Sequence, residues 1–320
     1  MRLIQTESTD VYFNLAAEAY LLEHSSEDIL ILWRSGSAVV CGKHQNICAE
    51  INYAHCIKNG IHPARRISGG GTVYHDMGNV NFTFIQNLKT GLEKAIDYKQ
   101  FLEPIRSALK AMGVETQYSF RNDLLFGDEK ISGNAQHLYQ QKRRILHHGT
   151  LLFDANIQQL GDTLHPVGNY QDKAVKSYRS KVTNLSNYFA QFKDVEAQLA
   201  ELWRLLAEQF SSQVGTFSDG ERQAIMDLRN QKFALPEWIL GYSPNYQVDK
   251  VIDLQFGTLK WHAKFEKAVV REAVFMDSNG IAVLSEVSSR MMGLFYYSSE
   301  FRDVLRGSIL DADDIYLQLF

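Results

Sequence analysis

The sequence predicts an α+β protein in which a large mixed-sheet domain is followed by a small α+β domain. Through the first two thirds of the chain, short apolar runs typical of strands alternate with longer stretches of helical periodicity. Pro236 and residues 241–245, which include Gly241 and Pro244, then interrupt this pattern. Beyond them, strand-like runs precede two final helical stretches. We therefore expect one domain at residues 1–245 and a second at residues 246–320.

Each element follows from its apolar spacing, which has a period of two in strands and of about 3.6 in helices. The predicted strands are residues 29–33, 38–41, 80–85, 123–126, 130–139, 145–153, 248–254, 259–262 and 269–276. The main predicted helices are residues 13–24, 52–59, 98–109, 195–210 and 220–232. We expect Asn14 to cap the first helix and Gly113 to end the third.

Composition limits the class of protein. A hydrophobic content of 45% with 22% charged residues describes an ordinary folded chain, and a net charge of −4 argues against nucleic-acid binding. Apolar runs are too short to cross a membrane, and the first residues lack the apolar core of a signal peptide. Three cysteines form neither a CxxC pair nor an even disulfide set. We therefore expect a cytoplasmic protein that binds neither nucleic acid nor membranes.

The most informative segment is residues 65–76. Arg65 and Arg66 precede three consecutive glycines, and an apolar–aromatic pair follows them. Because glycine loses the most backbone freedom on folding, such a run is typical of positive φ angles or of a ligand pressed against the backbone. Arginine forks suit phosphate or carboxylate oxygens, so the layout predicts an anion-binding loop beside an apolar slot. A glycine-rich turn between two strands is the alternative that these residues leave open.

Two common phosphate loops are excluded for this segment. A Walker A loop needs Lys-Ser or Lys-Thr after the glycines, and a dinucleotide fingerprint would need glycine where Tyr74 stands.

Residues 130–135 form a second informative segment. Within one strand, Lys130, Ser132 and Asn134 would share a face, and Gly133 would allow the close approach of a ligand. A lysine that faces a pocket beside an anion loop can neutralise the charge that develops during acyl transfer to phosphorus. On residue type alone, a surface lysine at the start of a strand is the alternative.

Five ordered motifs together resemble the lipoate–protein ligase A family of the biotin/lipoate ligase superfamily. They are residues 65–76 with Gly78-Asn79, Arg121-Asn122-Asp123, residues 130–135, His147-His148-Gly149-Thr150, and residues 179–185. The resemblance is dense over about residues 1–190 and extends beyond them by length and layout.

The resemblance implies a two-step ligation. Lipoate and ATP would give lipoyl-AMP and pyrophosphate, and the acyl group would then pass to a lysine of an acceptor protein. The expected acceptors are the lipoyl domains of 2-oxoacid dehydrogenase complexes and the glycine cleavage H protein. Mg²⁺ is expected as the counter-ion of ATP, with no metal held by protein ligands. The implied fold is a biotin/lipoate-ligase-like catalytic domain over residues 1–245 with an accessory domain over residues 246–320.

The same resemblance assigns roles to residues. Lys130 would be catalytic and would contact both the acyl carbonyl and the α-phosphate of the mixed anhydride. The implied binding residues are Arg66, Ser68, Gly69, Gly70, Gly71, Thr72, Val73, Tyr74, Asn122, Asp123, Lys130, Gly133, Ala135 and His148. Among these, Arg66 and residues 71–74 would bind nucleotide and phosphate, and residues 68–70 would shape the lipoate slot. Residues 176–184 resemble the mobile loop that covers the adenylate in the family.

Three alternatives are weighed against this interpretation. An ATP-independent octanoyl or lipoyl transferase of the same fold needs a nucleophilic cysteine near the lysine motif, and no cysteine follows Cys56. A biotin ligase would carry a Gly-Arg-Gly-Arg loop, which is absent. A non-catalytic binder of lipoyl domains is disfavoured by the presence of Lys130 and Arg66.

One departure concerns phosphate binding. Gln136-His137 stands where the family leads us to expect an arginine. The basic residues 142–144 lie close by in sequence and would either serve in its place or form a solvated hairpin tip.

Overall fold

The structure is a computed structural model that describes residues 1–88, 97–189, 191–255, 257–296, 298–311 and 313–319. Within these residues, no helix is long and apolar enough to span a bilayer.

The described helices and strands follow the predicted order. The helices are Val11–His24 (α1), Tyr53–Lys58 (α2), Lys99–Ala111 (α3), Ile157–Thr163 (α4), Val195–Phe210 (α5), Asp219–Leu228 (α6), Pro236–Ile239 (α7), Ser285–Met291 (α8), Ser299–Asp303 (α9) and Asp313–Tyr316 (α10). The strands are Arg2–Gln5 (β1), Ile29–Trp33 (β2), Ala38–Cys41 (β3), His62–Arg65 (β4), Val73–His75 (β5), Asn79–Asn87 (β6), Gln117–Tyr118 (β7), Leu124–Phe126 (β8), Glu129–Ser132 (β9), Asn134–Tyr139 (β10), Arg144–Leu152 (β11), Asn169–Asp172 (β12), Val214–Gly215 (β13), Tyr246–Leu254 (β14), Gly257–Glu266 (β15), Val269–Met276 (β16) and Ala282–Val283 (β17).

A six-stranded mixed sheet forms the centre of the larger part. Its order is β10-β11-β6-β2-β1-β13, with parallel pairs on both sides of β1 and antiparallel pairs elsewhere. In β2, Ile29 and Ile31 pack on one face against α1, whereas Leu30 and Leu32 pack on the other face with residues of α3 and α5. The sheet is therefore buried between helices on both faces, as its continuous apolar strands require.

Two small sheets position the predicted motifs. In the sheet β4-β3-β5, the glycine segment is the connection from β4 to β5 across β3. In the sheet β7-β8-β9, Asp123 directly precedes β8 and Lys130 lies on β9. The two informative segments are thus held at strand ends, where a rigid framework fixes loop residues.

The C-terminal part is a five-stranded sheet that shares its core with the larger part. Its order is β12-β14-β15-β16-β17, and its edge strand Asn169–Asp172 comes from well before the predicted boundary. One hydrophobic cluster contains Cys41 and Tyr74 together with Trp261 and Phe265. The α+β class is confirmed. The division at residue 245 coincides with the start of β14 and stays a prediction.

The predicted strand 130–139 is wrong. Glu129–Ser132 pairs with β8, whereas Asn134–Tyr139 pairs with β11 in the six-stranded sheet. Gly133 is the crossing between the two sheets, so Lys130, Ser132 and Asn134 do not share a face of one strand. A Cβ at Gly133 would lie 3.1 Å from Lys130 Nζ, so a side chain at this position would displace the tip of Lys130 by a few tenths of an ångström.

The predicted cap of the first helix is also wrong. Asp10 caps α1 by accepting hydrogen bonds from the backbone N–H groups of Tyr12 and Phe13. Asn14 lies inside the helix, buried, and donates to the carbonyls of Ser8 and Arg34. The helix therefore begins three residues before the predicted cap, at a residue whose carboxylate also suits the helix dipole.

Candidate active site

Lys130 is held from both its backbone and its side chain. Its N–H donates to the Lys181 carbonyl at 2.9 Å, and its carbonyl accepts from the Thr183 N–H at 3.1 Å. Its Nζ lies 3.1 Å from Asp123 Oδ1, and its side chain is 23% exposed. The ammonium group is therefore fixed beside one carboxylate while it stays accessible to a ligand.

A first cavity, here called the tryptophan cavity, encloses about 300 Å³. Its lining includes the apolar residues Leu15, Trp33 and Val40. The predicted site residues that line it are Arg66, Gly70, Gly71, Thr72, Val73, Asp123, Lys130, Gly133, Ala135 and His148. A lining that combines apolar residues with a few polar groups is the usual character of a small-molecule site.

A second cavity, here called the tyrosine cavity, encloses about 390 Å³ and is lined by Tyr74. Leu152, Leu160 and Leu164 give it an apolar wall. Both cavities are lined by Lys130 and Gly133, by Thr72, Val73 and Thr150, and by part of the loop at residues 176–180. Lys130 therefore stands where the two cavities meet.

Arg66 holds the glycine segment in shape. Its guanidinium donates to the carbonyls of Gly69 and Gly71 at 2.7 and 2.6 Å, and to the Val40 carbonyl at 3.0 Å. Burial lowers the pKa of Arg66 to about 10, so the group is still charged at neutral pH. The predicted phosphate contact of Arg66 stays a prediction, since its N–H groups serve the loop in this structure.

A buried chain of hydrogen bonds continues from Arg66. Arg66 Nε donates to Ser68 Oγ at 3.0 Å, and Ser68 Oγ lies 2.6 Å from His148 Nε2. His148 Nδ1 in turn lies 2.9 Å from the Glu18 carboxylate, which also accepts from Thr83 Oγ1. With Nδ1 as the donor to Glu18, Nε2 accepts from the Ser68 hydroxyl. The network therefore fixes both the orientation and the tautomer of His148 at the cavity wall.

Sequence reasoning missed Glu18, which is 1% exposed. The signal was a carboxylate within an otherwise apolar stretch of α1, because a charged side chain is rarely buried unless it is paired.

His75 lines the tryptophan cavity as a neutral imidazole. Burial, followed by the nearby charge of Arg66, lowers its pKa to about 3. Its ring packs edge-on against Trp33, and neither ring nitrogen has a hydrogen-bond partner among the described residues. A ligand with a polar group at this depth would find a neutral partner there.

A second missed group, Gln45, joins the glycine segment to the loop at residues 172–178. Gln45 is fully buried; its Oε1 accepts from the Gly42 N–H and the Thr72 hydroxyl, and its Nε2 donates to Ser177 Oγ at 3.0 Å. Ser177 Oγ also accepts from the Thr72 N–H at 2.8 Å. The loop is thus attached to the backbone of the glycine segment.

Four predicted site residues lie away from the tryptophan cavity. Tyr74 is buried and lines the tyrosine cavity, and Ser68 stands behind the wall in the His148 network. The Gly69 carbonyl accepts from Arg66, and Asn122, with φ of 63°, accepts from Asn134 Nδ2 through its carbonyl. Ser68, Gly69 and Asn122 therefore shape the loops that carry the site, whereas Tyr74 on β5 belongs to the second cavity.

Other candidate groups lie elsewhere. Arg144 is buried and donates to the carbonyls of Ser25 and Glu27, so it does not belong to a solvated hairpin tip, whereas Lys142 and Arg143 are exposed. The described residues contain no group of three or more metal-type ligands.

The cysteines are buried, form no disulfide among the described residues and lie outside the lining of both cavities. Burial raises the pKa of Cys41, and it raises the pKa of Cys56 to about 12.

The fold and site together define a class of protein, an α+β ligand-binding domain with two cavities that meet at a lysine. Residues 10–211 match the lipoyl protein ligase A/B catalytic domain family. The chain belongs to this family. It is 32% identical to lipoate-protein ligase LplJ of Bacillus subtilis over 307 residues, which cover 93% of this chain and 91% of the relative.

Solved structures share the fold. Lipoate-protein ligase A bound with ATP superposes with a TM-score of 0.64 and 23% identity, covering 75% of this chain and 98% of that one. A bipartite lipoate protein ligase from Thermoplasma acidophilum, described with its E2 lipoyl domain, superposes with a TM-score of 0.64 and 23% identity, covering 75% of this chain and 96% of that one. LipL1 of P. falciparum in complex with lipoate superposes with a TM-score of 0.62 and 24% identity, covering 95% of this chain and 93% of that one. The last likeness extends over the C-terminal part as well.

Proposed function

We propose that this protein is an ATP-dependent lipoate–protein ligase. The observation that carries the proposal is the position of Lys130, which lines both cavities at their junction. A reaction that joins a carboxylate to a nucleotide phosphate needs one cation near both reacting groups. The names of the relatives support the same activity, because the B. subtilis protein is a lipoate-protein ligase and a solved relative binds ATP.

The tryptophan cavity takes the acyl chain and the tyrosine cavity takes the nucleotide. Leu15, Trp33 and Val40 offer an apolar lining suited to an acyl chain. Thr72, Val73 and Tyr74, predicted to bind the nucleotide, line the tyrosine cavity, whose leucine wall suits an adenine ring.

The chemistry proceeds in two steps at Lys130. A carboxylate oxygen of lipoate attacks the α-phosphorus, the bond from this phosphorus to the β-phosphate oxygen breaks, and pyrophosphate leaves. The lysine amine of the acceptor then attacks the acyl carbon, the bond from this carbon to the phosphate oxygen breaks, and AMP leaves while the amine loses a proton. Lys130 stabilises the charge on phosphate and carbonyl oxygens in both steps, and Asp123 holds its side chain in place.

Mg²⁺ fits this site as an ion carried by ATP. The described residues offer no cluster of three or more metal-type ligands, and Asp123, which lines the tryptophan cavity, is paired with Lys130. Phosphate oxygens and water would therefore supply most of its ligands, as is usual for Mg²⁺. The bound ion would neutralise charge on the leaving pyrophosphate.

A transferase that works through a cysteine thioester is the second candidate. Its nucleophile would have to reach the acyl carbonyl, but Cys41, Cys48 and Cys56 are buried away from both cavities. We therefore favour the ligase. The absence of a disulfide between cysteines of the described residues also fits a cytoplasmic location, where disulfides are rare.

We propose lipoyl domains and the glycine cleavage H protein as acceptors. Support for the first comes from the T. acidophilum ligase described with its E2 lipoyl domain.

The test is to incubate the full chain with lipoate, ATP, Mg²⁺ and an acceptor lipoyl domain, and to weigh the acceptor by mass spectrometry. The acceptor should gain one lipoyl group when ATP is present and none without it. Transfer from an acylated carrier protein in the absence of ATP would favour the transferase, and no gain under either condition would favour a non-catalytic binder.

A further inference from the structure

Two large exposed aromatic residues contact Arg121, which lines the tryptophan cavity together with one of them, Tyr178. Phe120 is 87% exposed and Tyr178 is 61% exposed. Arg121 lies between them, with its guanidinium 3.8 Å from the centre of the Tyr178 ring and 5.6 Å from that of Phe120. Aromatic rings grouped at a cavity mouth, with an arginine between them, have the composition of a protein-binding hot spot.

The turn that carries Phe120 is fixed to the reacting centre. The Asp123 N–H donates to Ser119 Oγ at 3.1 Å, and Asp123 Oδ1 lies 3.1 Å from Lys130 Nζ. Arg121 and Tyr178 themselves line the tryptophan cavity. A protein that contacts Phe120 therefore lies beside the turn that holds Asp123, the partner of Lys130.

The charge at this rim is incompletely neutralised. Lys176 and Lys181 are paired with Asp172 and Glu129, respectively. Arg121, in contrast, presents its flat face to Tyr178 and has no ion pair with any residue that the structure describes. A guanidinium stacked in this way keeps its in-plane N–H groups available, and their geometry suits a carboxylate.

We propose that Phe120, Arg121 and Tyr178 form the docking surface for the acceptor protein. The partner is a folded protein that presents its target lysine on a protruding turn, flanked by an apolar and an acidic side chain. This inference rests on the proposed ligase function, which requires a second protein to bring an amine to the cavity. A second copy of this chain at the same place would obstruct the entry of that amine.

The test uses Phe120→Ala, a change at a side chain too exposed to support the fold. Transfer is measured against the concentration of an acceptor lipoyl domain, and the acceptor KM should rise about tenfold. Lipoate-dependent ATP–pyrophosphate exchange and the release of lipoyl hydroxamate by hydroxylamine should stay at the wild-type rate. Phe120→Tyr should keep the wild-type KM, since it keeps the ring. Ile281→Ala, which removes another exposed apolar side chain, is the matched control and should change nothing.

The proposed contact between Arg121 and an acidic side chain of the acceptor is tested by a double-mutant cycle. Each carboxylate that flanks the acceptor lysine is changed to its amide and combined with Arg121→Gln. The two single changes should raise the acceptor KM, and the double change should raise it no further than the larger of them.

Four outcomes would overturn the proposal. One is an unchanged acceptor KM for Phe120→Ala. Another is an equal loss in pyrophosphate exchange, which would indicate a local structural effect. A third is a change from dimer to monomer in sedimentation, which would assign the surface to a second copy. Fully additive effects in the cycle would remove the predicted contact with a carboxylate. If the wild-type chain shows no lipoate-dependent exchange at all, the proposed function itself fails, and the docking surface with it.

Discussion

The hydroxyl of Ser177 accepts a hydrogen bond from the backbone N–H of Thr72 at 2.8 Å, so the loop at residues 172–178 is attached to the glycine segment. Thr72 belongs to the segment that we expect to bind phosphate. The Thr72 N–H, which could donate to a bound anion, therefore donates to the Ser177 hydroxyl in this structure. Gln45 and Glu50 support the same serine, through its side chain and its N–H, respectively.

The first prediction is that Ser177→Ala opens this loop. Two hydrogen bonds to Ser177 Oγ are lost, each worth about 1 kcal/mol, so the loop should open roughly thirtyfold more often. The rate of trypsin cleavage measures this opening, because trypsin cleaves after lysine and arginine. Four such residues lie in or beside the loop: Lys173, Lys176, Arg179 and Lys181. Nicking after these residues should accelerate about thirtyfold.

Ser180→Ala is the matched control for this experiment. Ser180 is an exposed serine three residues further on with no side-chain hydrogen bond to the described residues. Equal nicking rates for the wild type and Ser177→Ala would show that the loop is held by other contacts.

The second prediction is that Lys130→Ala folds but loses adenylation. Removing a cation that stabilises a transition state commonly costs about 3 kcal/mol, on the order of a hundredfold in rate. Lipoate-dependent ATP–pyrophosphate exchange measures the loss. Lys181→Ala removes an exposed lysine, paired with Glu129, from the segment beside β9 and should keep full exchange. Exchange near the wild-type rate in Lys130→Ala would remove this residue from the mechanism.

The third prediction is that no cysteine is needed for activity. A variant with Cys41, Cys48 and Cys56 replaced by alanine should ligate lipoate at the wild-type rate, since none of them lines a cavity. Because all three are buried, the variant should lose about 1 kcal/mol of stability per site, and activity is therefore compared at a temperature where both proteins are folded. An acyl-thioester found by mass spectrometry after an acid quench of the wild type would contradict the prediction.

The sequence was sufficient for the site motifs and insufficient for the contacts between them. Residues 65–76 and 130–135 were recognisable because glycine, arginine and lysine at that spacing are unusual outside binding loops. The approach of Ser68 to His148, 80 positions apart, depends on sheet order, which local periodicity does not encode. The break at Gly133 was missed for a similar reason, because two short strands in different sheets read as one continuous run.

The division into two parts was harder to predict than the elements within each part. Pro236 and Gly241 gave a clear interruption in the pattern, but the buried Arg65 donates to the Ile239 carbonyl and to Ser243 Oγ, and so ties the interrupting segment itself to the larger part. Tyr74 and Trp261 lie in one hydrophobic cluster. Contacts of this kind appear only when both parts are folded together.

The fourth prediction concerns Lys250, which is 4% exposed and whose Nζ has no hydrogen-bond partner among the described residues. Burial lowers the pKa of Lys250 from 10.5 to about 8. Below pH 8 the folded state carries a buried positive charge, which lowers the free energy of unfolding. Between about pH 8 and 10.5 the folded protein loses this proton while the unfolded chain still binds it. The destabilisation is therefore relieved as the pH rises through this range. Lys250 should therefore destabilise the protein by about 3 kcal/mol at pH 7 and by about 1 kcal/mol at pH 9.5.

Urea unfolding of the wild type and Lys250→Met at these two pH values measures the effect. The variant should be the more stable protein at pH 7, and its advantage should shrink by about 2 kcal/mol at pH 9.5. Lys260→Met changes an exposed lysine on the neighbouring strand β15 and should show no such pH dependence. The comparison between variants cancels the titration of buried tyrosines, which both proteins share. A constant difference between wild type and Lys250→Met at the two pH values would mean that Lys250 keeps its proton in the fold, with a partner or a water molecule that solvates the charge.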